Sequence, residues 1–376
     1  MRPGRRREDG AMRVICARDR LGEAMAMAGG IVNQRSTNPI TGNVLLTAGK
    51  GSLEVRATDL EVSLVHEITE VEVKAQGKCL VEASLLAGLV KDASGETVEI
   101  EAKDKTVEIK AGRDRFELNS ADPDDFPKLP DPGTGTKIKL KGADLSEAIR
   151  RVGRNVALEK GRYALNGVLL EPAKSKLEFC GTDGRRLAYF STAAKGKEAD
   201  RQVIVPSRGY NLISRVVGSG DGDVEIMVGE TRLDAVFGGT RVGTQLVEGQ
   251  FPDYRGVIPK NLDKSFAIPV DEFKSALVRA KYLTSVETQA VKLEIRKGEL
   301  TIRAKSHGHG QAEVKAEIEY DGDDLDIGFD PQYILQGLDS FGEEKVIFEF
   351  KDAETGAIMH EGDRERFFFL VMPIDL

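Results

Sequence analysis

Asp59 and Asp183 are the residues of this chain that most invite a chemical reading. Each follows a threonine in a matching context, Ala57-Thr58-Asp59-Leu60 and Gly181-Thr182-Asp183-Gly184. Two carboxylates could serve a hydrolase as general acid and base. Neither aspartate has a His, a Lys or a metal ligand at motif spacing, so this reading is weak. His307 and His309 could supply two metal ligands, but no third ligand is spaced beside them. They read as a loop between strands. Gly218-Ser219-Gly220-Asp221-Gly222 is rich enough in glycine for a phosphate loop, yet it follows a helical pattern and precedes a strand, the wrong context for one. It reads as a turn. Cys16, Cys79 and Cys180 are odd in number and far apart, with no CxxC, which supports neither a zinc site nor a disulfide framework. A reducing cytoplasm is the expected compartment. With 4 His, 3 Cys and no GxSxG or HExxH, little material remains for a nucleophile and its base.

The two Thr-Asp pairs belong to something larger. Val44 and Val168 are 124 residues apart, as are Asp59 and Asp183, and a fainter third copy begins at Val291. Repetition at one offset governs the whole reading. A chain of 376 residues is too long for one core, and three copies of about this length can each bury their own. Around Thr182 the pattern is strand, strand, turn, strand. Val168, Leu169 and Leu170 are bounded by Gly167 and Pro172. Leu177 and Phe179 alternate with polar neighbours, and Leu187 with Tyr189 resumes the alternation of a half-buried strand.

Two helices recur in each copy. Leu21, Ala24, Met25, Ala28 and Val32 share a face, as do Leu145, Ala148, Ile149, Val152 and Val156, and Phe273, Ala276, Leu277 and Ala280. In the second of these helices Arg150, Arg151 and Arg154 fall roughly opposite the apolar face, with Glu147 the only acid among them. Lys160 and Arg162 follow. The second helices, 83–93, 207–217 and 331–341, come after Val81, Val205 and Phe329, again 124 apart, and alternating strands follow each. Strands separated by helices in this order predict an α+β fold with antiparallel sheets and helices on one face.

The expected divisions are an extension at 1–11, disordered, and domains at 12–132, 133–263 and 264–376. The junctions carry Phe126-Pro127 and Phe251-Pro252. Each proline should end the last strand of its domain. No apolar run approaches a membrane span and no signal peptide is visible. A net charge of −8 argues against a simple basic nucleic-acid module, although an acidic exterior with one basic inner face remains compatible with it.

The segments TDGRRLA, LNGVLLE, VIVPSRG, QLVEGQFPDYRGVIPK and the last seven residues, LVMPIDL, resemble the bacterial DNA polymerase III beta subunit, the sliding clamp family, from about Met12 to Leu376. The resemblance implies a homodimeric ring of six similar domains, sheets outside and helices lining the hole, closed around duplex DNA without sequence preference. It implies no catalytic residues, no cofactor and no metal. Its implied partners are the replicative polymerase, a clamp loader, and other polymerases and repair proteins that bind through short linear motifs. An accessory paralogue serving a specialised polymerase or binding an inhibitor is the alternative. Geometry agrees with two chains per ring. Domains of this length are about 35 Å across; six in a ring leave a hole of about one domain diameter, and three leave about 5 Å.

The resemblance places a partner-peptide pocket at Arg162, Leu165, Thr182, Gly184, Arg185, Arg186, Leu187, Pro252, Gly256, Val257, Tyr333, Leu370, Val371, Met372, Pro373 and Ile374. Arg162 and Arg186 are expected at its rim. Pro373 should stop the last strand and free Ile374-Asp375-Leu376 to lie along that surface. Arg185, Gly256 and Asp375 depart from the family pattern, which commonly has basic residues or His there. For DNA, Arg35, Arg150, Arg154, Lys160, Arg208 and Arg279 are expected to face the hole. Phe116, Leu118, Tyr282 and Leu283 are expected at the dimer interface.

Overall fold

In the computed structural model the described residues are 12–32, 38–131, 135–157, 159, 161, 163–196, 201–218, 220–285, 289–306 and 308–375. The extension at 1–11, together with Arg35, Lys160 and Arg162, lies outside them. The chain forms two compact bodies, Met1–Leu145 with Arg208–Leu246, and Ser146–Ser207 with Val247–Leu376.

Among the described residues six α-helices carry the repeat: α1 Arg18–Gly29, α2 Ala83–Asp92, α3 Gly142–Val152, α4 Ser207–Val217, α5 Val270–Lys281 and α6 Pro331–Leu338. The first apolar stripe is confirmed, with Leu21, Ala24, Met25 and Ala28 buried in α1, which stops before Val32. Phe273, Ala276, Leu277 and Ala280 are buried in α5; Asp271 and Glu272 at its start and Arg279 and Lys281 at its end complement the helix dipole. Asp330 caps α6 by accepting the Gln332 amide at 2.8 Å, with Pro331 in the first helical position. The helix expected to reach Val156 instead ends at Val152 and tightens into a 3₁₀ turn, Gly153–Asn155.

The strand pairings among the described residues, across repeat boundaries as well as within them, are antiparallel. In the first body, strand Thr240–Gln245 from the second repeat pairs with Val62–Thr69 from the first, Thr244 opposite Val62. In the second body, Phe367–Val371 from the third repeat pairs with Arg186–Ala193 from the second, Val371 opposite Arg186. The receiving strands, Val62–Thr69, Arg186–Ala193 and Gly310–Glu317, lie at intervals of 124 residues. Gly310–Glu317 ends the sheet that also holds Glu299–Ser306, Val291–Arg296 and Leu325–Phe329, so its outer edge has no strand beside it among the described residues. Asp114–Asn119, the first repeat's counterpart of Thr240–Gln245, likewise ends its five-stranded sheet.

Two expectations need correction. Asn119 and Gln245 end their strands well before Pro127 and Pro252, so the prolines shape the junctions rather than stop the strands. The alternation around Leu187 and Tyr189 predicts a half-buried strand, whereas every residue from Arg186 to Thr192 is buried. The strand is interior to an eight-stranded sheet. One side meets the 3₁₀ turn after α3. On the other, Leu187 and Tyr189 pack with Phe251 and Tyr254 of the junction. Each such fully buried large side chain contributes about 1.5–3 kcal/mol.

Candidate functional site

The second Thr-Asp turn is built by its own side chains. Thr182 Oγ1 donates to the Arg186 carbonyl at 2.6 Å and accepts the Gly184 amide at 3.0 Å. Asp183 Oδ1 accepts the amides of Arg185 and Arg186 at 2.9 and 3.1 Å. Gly184 has φ +89°, a conformation that favours glycine. Asp183 therefore satisfies turn amides and an ion pair with Arg186, its Oδ2 3.0 Å from Nε, and is not aimed at a reacting group. Asp59 does the same in the first repeat, with Arg208 Nη2 at 2.6 Å.

Around this turn the fold gathers most of the expected pocket. Leu165, Leu187 and Leu370 share one apolar cluster with Leu169, Tyr189 and Tyr254. Arg185 is exposed and donates to the Tyr333 hydroxyl at 3.3 Å. The Met372 amide donates to the Arg185 carbonyl at 2.9 Å, carrying the last strand's pairing one residue past Val371. Pro252, Gly256 and Val257 come from the junction segment that Phe251 and Tyr254 anchor in the same cluster. Val257 is 55% exposed and Met372 37%, unusual for side chains of this kind.

Arg186 is not at a rim. It is buried, with Nε on Asp183, Nη2 3.4 Å from the Arg154 carbonyl and its guanidinium 5.0 Å from the centre of the Tyr333 ring. Arg185 takes the exposed position instead. The tail is not free either: the Ile374 amide donates to the Gly328 carbonyl at 2.9 Å, tying it to the third repeat's own strand Leu325–Phe329. Arg162 lies outside the described residues.

Sequence reasoning missed the clamp that holds the junction. Arg255 bridges Glu171 at 2.8 Å and Glu178 at 2.5 Å, and Lys176 reaches Glu178 at 2.6 Å. The Tyr254 hydroxyl faces the same two glutamates at 3.3 and 3.4 Å. Burial alone would raise the Glu178 carboxyl; hydrogen bonds from Lys176 and Tyr189 and the charges of Lys176 and Arg255 outweigh it and hold it below the ordinary value. Beside the clamp, Glu171, Gln202, Gln250, Asp253 and Arg255 help line a polar cavity of about 500 Å³. The only sequence signal was two acids facing each other across a hairpin, Glu171 opposite Glu178, which call for a cation.

The expected DNA-facing set separates. Arg150, Arg154 and Arg279 are exposed. Arg208 is committed to Asp59 and to the Ile31 carbonyl at 2.9 Å. Arg35 and Lys160 lie outside the described residues. Arg151, grouped with Arg150 and Arg154 by helical spacing, is buried; it pairs with Glu147 and Glu361, each at 2.7 Å, and lies 4.4 Å from the Phe367 ring centre. Phe367, on an interior strand of the eight-stranded sheet, and Glu361 cover the side of α3 that the sequence pattern leaves open. Of the expected interface residues, Phe116 and Leu118 are half-buried on the edge strand Asp114–Asn119, Leu283 is half-buried and Tyr282 is 80% exposed.

The remaining chemical candidates have structural surroundings. Cys16, Cys79 and Cys180 are buried and unpaired with one another. Burial pushes the Cys16 thiol up to about 11, Cys79 to about 12 and Cys180 well above its ordinary value, which disfavours the reactive thiolate. Among the described residues no group of three or more His, Cys, Asp or Glu is placed to hold a metal, and no helix is long and apolar enough to cross a membrane.

Three family models match in order: the N-terminal domain of the DNA polymerase III beta subunit over residues 12–130, its central domain over 139–253 and its C-terminal domain over 255–375. The beta sliding clamp of Pseudomonas aeruginosa is 32% identical over 367 residues, spanning 97% of this chain and all of that protein. The beta sliding clamp of Escherichia coli K12 is 29% identical over 366 residues with the same coverage. Among solved structures, the P. aeruginosa clamp bound to griselimycin superposes with a TM-score of 0.93 over 98% of this chain and 100% of that one. The Thermotoga maritima beta subunit, 23% identical, shares the fold with a TM-score of 0.90. With its threefold repeat, cross-repeat sheets and matching domains in sequence, the chain belongs to the DNA polymerase III beta subunit family, the sliding clamps.

Proposed function

We propose that this chain pairs with a second copy to close a ring around duplex DNA, and that it tethers the replicative polymerase through the groove beside Thr182–Leu187. The observation that carries the ring is the pair of open sheet edges. Twice within the chain a receiving strand, Val62–Thr69 or Arg186–Ala193, is joined by the last strand of the next repeat. The third receiving strand, Gly310–Glu317, and the first repeat's last strand, Asp114–Asn119, each lack such a partner among the described residues. Long bare edges invite aggregation, and pairing each with its complement on a second chain removes both hazards at once. Phe116, Leu118, Tyr282 and Leu283 then line the seam. A shallow apolar pocket where Leu85 and Leu89 of α2 meet Phe116 and Leu118 supports a packed contact there.

Arg150, Arg154 and Arg279, with Arg208 held nearer Asp59, would meet phosphates without reading bases. Such contacts must be weak and salt-sensitive for the ring to slide. Domains at 12–132, 133–263 and 264–376, a cytoplasmic location, opening by a clamp loader, and the absence of catalysis, metal and cofactor complete the reading. The groove suits a short peptide with Gln and spaced Leu or Phe anchors, also the mode for other polymerases and repair proteins. The test is topological. Loaded onto nicked circular duplex, the protein should co-elute with DNA in gel filtration and be lost once the circle is cut. Equal retention on circular and linear DNA would refute the ring.

A further inference from the structure

Resting on the peptide and duplex sites proposed above, we infer that Arg186 couples them, so that a peptide in the groove weakens the hold of Arg150 and Arg154 on duplex DNA. The 3₁₀ turn Gly153–Asn155 that follows α3 sits directly on the back of the groove. A Cβ on Gly181, the residue before Thr182, would lie 2.8 Å from the Val152 carbonyl, so helix end and turn are in backbone contact. Asn155, fully buried, donates to the Arg151 carbonyl at 2.9 Å. Ser340, just past α6, donates to that same carbonyl at 3.4 Å, and its own carbonyl accepts Arg150 Nη1 at 3.5 Å. The helix that supplies Tyr333 to the groove therefore ends on the helix that supplies Arg150 and leads into the turn that supplies Arg154.

Within this block Arg151, Asn155 and Arg186 each keep a buried polar atom without a hydrogen-bond partner among the described residues, and of these Arg186 is the one that also stacks on Tyr333 of the groove. One edge is firm, Nε on Asp183 at 3.0 Å. The bond from Nη2 to the Arg154 carbonyl is long, 3.4 Å, and Nη1 is buried with no hydrogen-bond partner among the described residues. A buried donor without an acceptor favours any rearrangement that supplies one. A peptide backbone carbonyl or Gln side chain entering between Arg185, Tyr333 and Met372 supplies it, and turning the guanidinium toward that acceptor releases the Arg154 carbonyl. The turn that carries Arg154, and that continues the helix end bearing Arg150, then loses one of its fixings. Linkage requires the reverse effect to be equal: duplex must weaken peptide binding by the same factor.

The experiment measures duplex affinity by anisotropy of a labelled 30-base-pair DNA at low salt, with and without a saturating synthetic peptide bearing Gln and spaced Leu and Phe anchors, and then peptide affinity with and without duplex. The expected result is a loss of threefold or more, equal in both directions, shrinking to no effect in Arg186→Lys, which keeps the charge but cannot span Asp183 and Arg154 together. In the unmodified protein, amide exchange across 150–157 should quicken when peptide alone is added, a readout independent of how the variant folds. Both ligands binding with no mutual effect, coupling that survives in Arg186→Lys, or unchanged exchange would each overturn the inference and leave the binding sites standing. Failure of either ligand to bind by itself would overturn the parent reading, and this inference with it.

Discussion

The turns Thr58–Val62 and Thr182–Arg186 have matching backbone hydrogen bonding and different side-chain neighbours. In both, the threonine hydroxyl donates four residues ahead, at 2.8 and 2.6 Å, and accepts the amide two ahead at 3.0 Å. Both aspartates accept two further amides. Leu60 and Gly184 adopt φ +81° and +89°. The incoming chain binds alike, the Gln245 amide on the Glu61 carbonyl at 3.0 Å and the Met372 amide on the Arg185 carbonyl at 2.9 Å. The side chains then diverge. Position 333 is tyrosine; 124 residues earlier stands Gly209, where a Cβ would lie 2.7 Å from Thr244 Cβ. Gln245 reaches back to the Leu60 carbonyl at 3.3 Å. The first turn leaves Leu60 53% exposed but has Gly209 and Gln245 beside it, while the second presents Arg185, Tyr333 and a partly exposed Met372. One backbone device thus serves as a joint in the first body and as a joint with a groove in the second.

Exchanging residues between the two turns tests that difference. The largest effect should come from Gly209→Tyr. With no space beside Thr244, overpacking should cost about 3 kcal/mol or more in urea denaturation. Tyr333→Gly, the reverse exchange, should leave secondary structure intact while lowering peptide affinity by about 30-fold, as for loss of a buried aromatic anchor. Met372→Gln, copying Gln245, should lower peptide affinity by about tenfold, near the 1.4 kcal/mol that a tenfold change represents, with an unchanged urea midpoint. A smaller stability effect is expected at the left-handed position: Leu60→Gly should stabilise and Gly184→Leu destabilise, each by about 1 kcal/mol.

The smallest effect concerns pH and the clamp found only in the second body. The Glu178 carboxyl is held below its ordinary value in the fold, so its contribution to stability is present above the unfolded-state value and is lost as pH falls through the folded one. Glu178→Gln should lower stability at neutral pH and flatten the acid limb of stability against pH, the variant and the unmodified protein converging as pH falls. An acid limb identical to that of the unmodified protein would count against the clamp.

The repeat made much of this legible. Val44 with Val168 and Asp59 with Asp183 give the copies, and the apolar stripes give α1, α5 and the second helices to within a few residues. A single sequence could not reveal which strands pair across repeats, because Val62–Thr69 and Arg186–Ala193 find partners far along the chain, 182 residues on in the pairing Val62–Thr244 and 185 in Arg186–Val371. The two misjudged arginines have that same origin. Helical spacing puts Arg151 opposite the apolar stripe, and only the arriving Phe367 and Glu361 bury it. Arg186 reads as a rim residue until the end of α3 closes over it. Even the third copy of the turn is visible in retrospect, since Gly308, at φ +93°, stands 124 residues after Gly184.

The difference between the turns is tested most directly by cross-linking. A photoreactive peptide with Gln and spaced Leu and Phe anchors, irradiated with the protein and mapped by mass spectrometry, should label one site per chain, within Gly184–Leu187 or Met372–Ile374. Labelling at Leu60–Val62 or Gln245–Val247, at comparable yield or instead, would contradict the claim that only the second turn carries a groove.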